Sequence, residues 1–558
     1  MRSVINQLKH NFNDVHFILL WTVVNLFQAY FTELTSDEGY YWFYGSRLDW
    51  GYYDHPPLLA LFTYLGRILV GGELGVRILN ILLISVGVFY VLKTIEVRNR
   101  AVIYLILLSL PLFNYVTFIA FPDSSLVAIT GFSLYAYKNF SQRNTFKWAL
   151  LLALSFTLMM YAKYHAALFI IFLVASNWKL LKNKHFYFIA VLSLLLYLPH
   201  LYWQHTHGYP SFLYHLYGRS KAFKVGYLFE YIGTQVFVLG LGLFFVPFVV
   251  KASNQFEKTV KYIAVGTVLF FGLSALRGFV HMHWTSIALF PIVILASKYY
   301  LPRRTLLKVV TIPFVTFIIV FRLYLMFKII PVNKLGADYF HERDSWAAEI
   351  KAIAQDKPVI FDAGNSGLRE APLYSFYANA TSLALFPGLN KKSQYQIWKY
   401  EDSVQLKDAV VVRRIPFEGS TELKTQMGRA VYYKQIDGFQ SFTNIKIEPL
   451  FGVINDQTFP LEVEVTNHRL APIKFDSNQE IYISIKDKEG NEKKLPILLS
   501  QEIIIEGQGQ QRIRFHCQTK GIPEGTYQFT INIYDKINNI MSINSDKNTL
   551  IVRKVESK

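Results

Sequence analysis

The chain has 558 residues and a net charge of +18, with 52% hydrophobic and only 17% charged residues. Because a disordered chain needs high charge and few apolar residues, this composition excludes intrinsic disorder. The single cysteine, Cys517, excludes an intrachain disulfide framework and a thiolate zinc site. The length exceeds what one hydrophobic core usually supports, so at least two domains are expected.

The charge excess lies almost wholly in the first part of the chain. Residues 1–330 contain 28 Lys and Arg but only 11 Asp and Glu, whereas residues 331–558 contain 29 and 28. The basic residues of the first part form short clusters between long apolar runs, which is typical of a membrane protein and not of a nucleic-acid-binding one. The sequence therefore predicts that this part lies in membrane lipid and binds no nucleic acid.

Eleven segments are long and apolar enough to cross a bilayer, which takes about 20 residues. They are 15–33, 74–92, 101–120, 124–140, 146–162, 164–181, 186–203, 227–250, 259–276, 284–300 and 306–328. Segment 56–72 is apolar but shorter, and it predicts an interfacial helix on the membrane surface. Arg77 and Arg322 are the most obvious ionisable residues inside the eleven segments, and each is near an end.

The basic clusters also predict the orientation of the chain, because cytoplasmic loops carry the excess of Lys and Arg. With the N-terminus in the cytoplasm, every cytoplasmic segment is basic, and the odd number of spans places residues 330–558 outside. We therefore expect a multi-pass protein of the inner (plasma) membrane with an extracytoplasmic C-terminal domain. The alternative is a miscount by one or two spans, and an odd miscount would reverse the side of that domain.

The C-terminal part reads as soluble. Residues 358–361 predict a strand and residues 368–377 a helix, whereas 461–465 and 481–485 alternate with the period of two that predicts strands. Turn residues at intervals of roughly ten predict a small β-sandwich. The predicted domains are a transmembrane domain at 1–329, an α/β segment at 330–444 and a β-sandwich-like domain at 445–558, with packing or docking as the expected role of this tail.

In the membrane part, the ionisable residues that could do chemistry collect at the outer face. On this orientation the outer acids are Glu33, Asp37, Glu38, Asp49, Asp54, Glu73, Asp123 and Glu230. The outer cations and imidazoles include Lys163, His165, His205, His207, His215, Arg219, Arg277, His281 and His283. A channel or transporter is expected to place polar groups deep in several spans. The pattern therefore favours an enzyme that works at the membrane surface.

Two motifs stand in the first outer loop. One reads Thr35-Ser36-Asp37-Glu38-Gly39-Tyr40-Tyr41-Trp42, and the other reads Gly51-Tyr52-Tyr53-Asp54-His55-Pro56-Pro57-Leu58. The first motif is also compatible with a plain helix start, in which Ser36 or Asp37 is the N-cap and the aromatic residues anchor at the lipid headgroups.

These motifs resemble the first-loop signature of bacterial members of glycosyltransferase family 39, which includes protein O-mannosyltransferase-like enzymes. That family is similar to the lipid A aminoarabinose transferases, and all share the α-helical, multispan GT-C fold. Further matches follow in order: Phe121-Pro122-Asp123, Lys163-Tyr164, Trp203 through Arg219, and His283-Trp284. The resemblance covers roughly residues 15–325. The chain lacks the large domain that eukaryotic members insert between middle spans, so the resemblance leaves a protein acceptor in doubt.

The resemblance implies an inverting transfer of a sugar from a polyprenyl-phosphate donor to a hydroxyl on the extracytoplasmic side. The acceptor is a glycan, a lipid or a protein. Two alternatives stay open: a lipid A or envelope-glycan modifying transferase of the aminoarabinose type, and a lipid-linked saccharide transporter.

The resemblance also implies roles for single residues. Asp37 matches the catalytic base, Glu38 supports it, and Asp123 is either catalytic or an N-cap. The expected residues for the donor and its phosphate are Asp54, His55, Lys163, Tyr164, Arg219, His283 and Trp284. Lys163 could instead snorkel from a span end, and His283-Trp284 could be an interfacial anchor. No cofactor is certain, and a divalent cation, if one is used, is expected between Asp54 and His215.

Overall fold

The computed structural model describes residues 13–216, 223–329, 340–386, 393–450, 453–454, 458–487, 491–498, 502–518, 522–536 and 540–553. Its chain divides into two compact units, one of residues 1–335 with 339–341 and one of residues 336–338 with 342–558. The predicted domain boundary at residue 330 lies outside the described residues.

The first unit is helical. Its α-helices are α1 (Asp14–Phe31), α2 (Ser36–Tyr44), α3 (Leu58–Leu69), α4 (Gly72–Thr94), α5 (Arg100–Ser109), α6 (Pro111–Val116), α7 (Pro122–Arg143), α8 (Phe146–Ala162), α9 (Ala166–Ser176), α10 (Lys184–Thr206), α11 (Pro210–Leu216), α12 (Gly226–Val238), α13 (Leu241–Phe244), α14 (Val246–Val249), α15 (Gln255–Ala275), α16 (Leu289–Tyr300) and α17 (Arg304–Phe327). Two 3₁₀ segments, Trp178–Lys182 and Met282–Ala288, follow α9 and precede α16.

Each predicted span contains at least one α-helix, and the segment 227–250 contains three, α12, α13 and α14. Five of the described helices, α1, α4, α10, α15 and α17, are long and apolar enough to cross a membrane. The pair α12 and Leu241–Val249 adds a sixth if it counts as one span, although the pair is bent by 107°. Gly240 stands at this bend with φ +79°, a conformation that glycine adopts without a steric penalty. The predicted span at 101–120 is divided at Pro111, which cannot donate a backbone hydrogen bond.

Helices α4 and α7 pack in close contact. A Cβ atom on Gly87 would lie 2.5 Å from the backbone oxygen of Ala128, so the two helix backbones touch at this glycine. The hydroxyl of Ser125, in the first turns of α7, donates to the amide oxygen of Asn80 at 2.6 Å. This packing holds the start of α7, which carries Asp123, beside the start of α4, which carries Arg77.

The second unit contains helices and sheets. Its α-helices are α18 (Arg343–Ala354), α19 (Gly367–Ala378) and α20 (Gln394–Ile397). Its strands are β1 (Val359–Asp362), β2 (Ser382–Leu385), β3 (Ala409–Arg413), β4 (Thr421–Lys424), β5 (Ala430–Ile436), β6 (Ile445–Pro449), β7 (Val453–Ile454), β8 (Thr458–Asn467), β9 (Ile473–Phe475), β10 (Gln479–Lys486), β11 (Glu492–Leu498), β12 (Ile503–Ile505), β13 (Gln510–Gln518), β14 (Gly525–Asp535), β15 (Ile540–Ile543) and β16 (Asn548–Val552).

The strands form a mixed sheet and a larger β-rich part. The five-stranded sheet has the order β2-β1-β3-β5-β4, in which β1 is parallel to β2 and β3. The nine-stranded sheet has the order β6-β8-β13-β11-β10-β14-β16-β7 with β15 beside β14, and β9 and β12 form a separate pair. Side chains of the nine-stranded sheet and of the β9–β12 pair, such as Ile483 and Phe475, belong to one apolar core. The predicted C-terminal domain with an α/β segment and a β-rich part is confirmed, and the strands predicted as a β-sandwich form one nine-stranded sheet and one two-stranded pair.

Candidate active site

The first of the two motifs, residues 35–42, forms the start of α2. Thr35 is the N-cap: its hydroxyl accepts from the backbone N–H of Glu38 at 3.2 Å, and Glu38 accepts in return from the N–H of Thr35 at 2.9 Å. This reciprocal pair is a capping box. The alternative that Ser36 or Asp37 caps the helix is therefore wrong, because the hydroxyl of Thr35 is the group that accepts from the backbone N–H of Glu38.

Glu38 is buried in an ion pair with Arg77 of α4. The Nε and Nη2 atoms of Arg77 donate to the two carboxylate oxygens at 2.6 and 2.7 Å. The backbone N–H of Ala120 donates to the same carboxylate at 2.9 Å, and Arg77 also donates to the carbonyl groups of Ala29 and Thr32. The pair therefore joins the end of α1, the start of α2 and the loop before α7.

Asp37 stands next to this pair and differs from it in exposure. It is the second residue of α2 and is half-buried, whereas Glu38 is fully buried. The N-terminal turn of a helix favours a negative charge, which suits an ionised carboxylate at this position.

The second motif, residues 51–58, places Asp54 at the centre of a polar cluster. The hydroxyl of Tyr44 donates to the Asp54 carboxylate at 2.7 Å, and Nδ1 of His55 lies 2.8 Å from the same oxygen. His215 donates from Nε2 to the backbone oxygen of Asp54 at 3.0 Å. Burial alone would raise the pKa of Asp54, but the charge of His55 and the hydrogen bonds from His55 and Tyr44 lower it to about 2. Asp54 is therefore a fixed anion at neutral pH.

The end of α10 holds the second motif in place. The indole of Trp203 donates to Asp49 at 2.7 Å and packs so closely on Gly51 that a Cβ atom there would lie 2.8 Å from Cδ2 of the ring. His200 donates from Nδ1 to the carbonyl of Trp50 at 2.6 Å, and its Nε2 lies 3.0 Å from the hydroxyl of Tyr164. Tyr164, predicted as a donor-binding residue, is thus part of the hydrogen-bond network that holds this loop.

Asp123 and Lys163 form the second buried ion pair of the site. Nζ of Lys163 donates to Oδ2 of Asp123 at 2.6 Å, and the hydroxyl of Ser286 donates to Oδ1 at 2.7 Å. The N-cap of α7 is Phe121, whose N–H donates to the hydroxyl of Ser124. The alternative that Asp123 is the N-cap is therefore wrong. Lys163 is only 7% exposed, so it does not snorkel to solvent either.

His283 lies beside this ion pair. Its Nε2 is 3.8 Å from Oδ2 of Asp123, and its ring stacks on His281 at 5.5 Å. Burial is the main cause that lowers the pKa of His283 to about 3; the carboxylate of Asp123 opposes this shift, and the charges of Lys163, His281 and His55 add to it. Trp284 packs on His165 at 5.2 Å and on Phe271 at 5.6 Å, as a half-buried side chain.

Aromatic contacts connect the first-loop cluster with the Asp123 cluster. The ring of Phe121 lies 6.1 Å from Tyr41 and 5.8 Å from His283, and Tyr41 packs on His55 at 5.2 Å. The predicted residues Asp54, His55, Asp123, Lys163, Tyr164, His215 and His283 thus belong to one connected region. Arg219 lies outside the described residues.

The Asp54 and His215 pair does not make a metal site by itself. Within the described ranges, no group of three or more His, Cys, Asp and Glu side chains could hold a metal ion. Nε2 of His215 is already bonded to the Asp54 carbonyl. A catalytic metal usually has three protein ligands, so the pair does not fit the divalent cation expected from the sequence.

Sequence reasoning missed several residues that hold this site. Arg77, Tyr44, Ser286 and His200 each donate to or accept from a motif residue or the loop that carries it. Of these, Arg77 alone gave a signal, as an arginine within an apolar segment. The others are ordinary polar residues whose partners lie far away in the sequence.

Comparisons with known proteins bear on the fold and the family of this chain. Residues 54–203 match a family model described as dolichyl-phosphate-mannose-protein mannosyltransferase. No curated protein matches the chain. The solved structure of ArnT from Cupriavidus metallidurans in the apo state has a TM-score of 0.55 and 15% sequence identity, and the match covers 75% of this chain and 97% of that chain. This chain has the ArnT-like GT-C fold.

The same relation holds for a second solved structure. ArnT from Cupriavidus metallidurans bound to undecaprenyl phosphate has a TM-score of 0.55 and 14% identity, with 77% of this chain and 98% of that chain covered. The predicted resemblance and the predicted fold class are therefore confirmed. Together with the apolar helices, these findings support a multi-pass membrane glycosyltransferase of the GT-C type.

Proposed function

We propose that the protein moves a sugar from a polyprenyl-phosphate donor to an acceptor hydroxyl on the extracytoplasmic side, with inversion at the anomeric carbon. The observation that carries this proposal is the difference between the acids of the site. Glu38 and Asp123 are buried in ion pairs, and Asp54 is buried against Tyr44 and His55. Asp37, the neighbour of Glu38 in the first turn of α2, is only half-buried, and we assign it the side of the site that an acceptor approaches from water.

In the proposed reaction, Asp37 accepts the proton of the acceptor hydroxyl while that oxygen attacks the anomeric carbon of the donor. The bond between this carbon and the phosphate oxygen breaks, and the polyprenyl phosphate leaves with the bonding electrons. A positioned general base contributes roughly 10²–10⁴-fold to such a reaction. A single displacement of this kind inverts the anomeric configuration.

The leaving phosphate needs positive charge more than it needs an acid. We assign this role to Lys163, with His55 and Arg219 as further contacts. Lys163 is buried and held by Asp123 at 2.6 Å, so its ammonium group is already positioned before a donor arrives. Cations fixed in advance stabilise developing charge without a reorganisation cost.

The fold similarity supports a lipid-borne donor. The ArnT structure that shares this fold is bound to undecaprenyl phosphate, and the family model is named for a dolichyl-phosphate sugar donor. The match to ArnT covers nearly all of that chain. This extent favours, as a second candidate, the transfer of a modified sugar to lipid A or to an envelope glycan by the same site.

Purified protein in lipid nanodiscs tests the proposal with a panel of undecaprenyl-phosphate sugars, by measuring the release of undecaprenyl phosphate. Asp37→Asn keeps the capping box of Thr35 and Glu38 and removes the proton acceptor, so we expect turnover to fall by about 10²–10⁴-fold. Glu73→Gln is the matched control, because Glu73 is a half-buried acid in the first turn of α4.

The control variant should keep its turnover. Near-normal turnover of the Asp37 variant, with intact expression and folding, would remove Asp37 from this role and direct attention to Asp54 and Asp123.

A further inference from the structure

Arg322 is a buried cation outside the site described above. It lies on α17, five residues before the helix ends at Phe327, and it is only 8% exposed. Among the residues that the structure describes, no carboxylate lies within ion-pairing distance of it. An arginine remains charged in proteins, and a buried charge without a counter-ion is costly. An ionisable residue inside a membrane span is therefore a sign of function.

The neighbours of Arg322 are neutral. Nη2 donates to the amide oxygen of Asn25 and to the backbone oxygen of Asn114, both at 2.9 Å, and to the hydroxyl of Thr117 at 3.3 Å. The rings of Trp21 and Phe118 each lie 5.0 Å from the guanidinium carbon. Nε and Nη1 are buried and have no hydrogen-bond partner among the described residues. Within that part of the chain, the guanidinium group thus keeps two donors without an acceptor and a charge without a counter-ion.

Two cavities adjoin this residue. One has a volume of about 240 Å³ and is lined by Phe118, Phe317 and Phe321 among others, and the other has a volume of about 420 Å³ and is lined by Trp21, Val24 and Ile319 among others. Both cavities are lined by Asn114, Ile318 and Arg322, and nearly all of their other lining residues are apolar. None of the site's acids and no lysine lines either cavity.

We propose that Arg322 binds the phosphate of an anionic diacyl phospholipid, whose two acyl chains occupy the two cavities. Charge complementarity requires an anion, and two apolar cavities that adjoin one cation match two chains joined to one phosphate. Val24 and Ile319 are 42% and 53% exposed, so the larger cavity borders the lipid-facing surface of α1 and α17. Five residues of helix place Arg322 about 7.5 Å from the end of α17, within reach of a headgroup.

This lipid site differs from the proposed donor site. A polyprenyl phosphate has a single chain, and the donor phosphate is assigned to Lys163 and its neighbours. The smaller cavity is also lined by Met282, which precedes His283 in the chain. A lipid bound at Arg322 would therefore contact the segment that carries His283, without touching the ion pair of Asp123 and Lys163.

The experiment compares the unaltered protein with Arg322→Gln, Arg322→Lys and the control Lys308→Gln, all purified in the same detergent. Lys308 is an exposed cation near the other end of α17. Native mass spectrometry counts the bound phospholipid, and a thermal scan records the midpoint of unfolding with added phosphatidylglycerol, phosphatidylcholine or undecaprenyl phosphate.

We expect one bound phosphatidylglycerol and a raised midpoint for the unaltered protein and for Lys308→Gln. Both effects should be lost in Arg322→Gln and weakened in Arg322→Lys, because an ammonium is a point charge with a different donor geometry. If Arg322→Gln does not fold, a reduced affinity of Arg322→Lys carries the same conclusion.

Unchanged phosphatidylglycerol binding in both Arg322 variants would overturn the proposal. Equal stabilisation by phosphatidylcholine would overturn the requirement for an anion. Stabilisation by undecaprenyl phosphate alone would overturn the choice of a diacyl lipid. None of these outcomes depends on transferase activity, so failure here is distinct from failure of the proposed function.

Discussion

At the scale of single residues, the two buried ion pairs differ in what surrounds them. The carboxylate of Glu38 accepts hydrogen bonds from Arg77 and from two backbone N–H groups, so its lone pairs are used within the protein. The carboxylate of Asp123 accepts hydrogen bonds from Lys163 and Ser286, and His283 lies beside them. The surroundings of the Glu38–Arg77 pair therefore suit a structural role. The Asp123–Lys163 pair, with His283 beside it, offers a cation and an imidazole that could contact a phosphate.

A double-mutant cycle on Asp123 and Lys163 distinguishes a stabilising role of this ion pair from a role in the reaction. Breaking a buried pair by removing one partner costs about 3–5 kcal/mol, because the remaining charge is left uncompensated. We expect Asp123→Asn and Lys163→Met each to lower the free energy of unfolding by an amount of this order. The double variant should recover much of that stability and still release no polyprenyl phosphate.

The reason is that the double variant restores neutrality but not the cation for the leaving phosphate. Thermal unfolding and turnover are measured on the same preparations. Recovery of both stability and turnover in the double variant would mean that the pair is only structural.

His283 gives the site a predictable response to pH. Its pKa of about 3 lies below the ordinary histidine value of about 6.5. Between these values the unfolded chain binds a proton that the folded chain does not, so stability falls as the pH falls from 6.5 towards 3. Asp54, with a pKa of about 2, keeps its contribution above its unfolded value of about 3.9 and loses it only as the pH falls towards 2.

We therefore expect His283→Gln to lose less thermal stability than the unaltered protein between pH 7 and pH 4.5. The exposed His205 provides the control variant, His205→Gln. Parallel loss of stability in all three proteins would contradict the burial of a neutral His283.

The residues of the site could be predicted from the sequence only where they belong to motifs. Asp37, Asp54 and Asp123 stand in short polar motifs beside apolar segments, and this contrast in polarity can be recognised from the sequence alone. The sequence allows Ser36 or Asp37 as the N-cap of α2, whereas the N-cap is Thr35, because all three residue types can cap and only the backbone decides which one does. The partnership of Tyr44 with Asp54 depends on a turn whose shape the sequence does not state.

At the scale of elements, the loop between α2 and α3 depends on the end of α10. Trp203 covers Gly51 and bonds to Asp49, and Ser211 of α11 donates to the carbonyl of Tyr52 at 2.7 Å. These contacts come from a segment about 150 residues further along the chain. They keep Asp54 and His55 in position although the loop has no regular structure of its own.

Gly51→Ala tests this dependence. The added methyl group would overlap the indole ring of Trp203, and overpacking of this kind typically costs about 1–3 kcal/mol. We expect a lower midpoint of unfolding and a raised apparent KM for the donor, because Asp54 and His55 move with the loop.

Gly71→Ala is the matched control, since a methyl group at Gly71 meets open space. Its kinetics and stability should stay close to those of the unaltered protein. If Gly51→Ala behaves like Gly71→Ala, the close packing of Trp203 does not position the loop.

The elements themselves were easier to predict than their interruptions. Apolar runs of about 20 residues identify membrane helices because lipid requires every backbone group to be bonded within the helix. The breaks at Pro111 and Gly240 belong to residues that are compatible with a kink as well as with a break, so the sequence gives no length for each piece. In the second unit, the alternation at 481–485 predicted β10, but not that β10 pairs with β14 about fifty residues later.

At the scale of the whole molecule, the orientation in the membrane is the prediction on which the outer-face site depends. A chain fused to alkaline phosphatase after Lys328 should be active, because that enzyme folds only outside the cytoplasm, whereas a cytoplasmic reporter at the same place should be silent. The basic content of alternate loops is the physical basis of this expectation. The reverse result would place residues 330–558 inside and remove the outer face as the place of reaction.

The most direct measurement of the central claim is mass spectrometry of the lipids and glycans of cells with and without the gene. We predict that a sugar-loaded polyprenyl phosphate accumulates when the gene is deleted, and that one envelope glycan, lipid or protein loses the corresponding sugar. The unaltered protein and Glu73→Gln should restore both signals, and Asp37→Asn should restore neither. Unchanged levels of lipid-linked sugars and of their products in the deletion strain would contradict a transferase that uses a polyprenyl-phosphate donor.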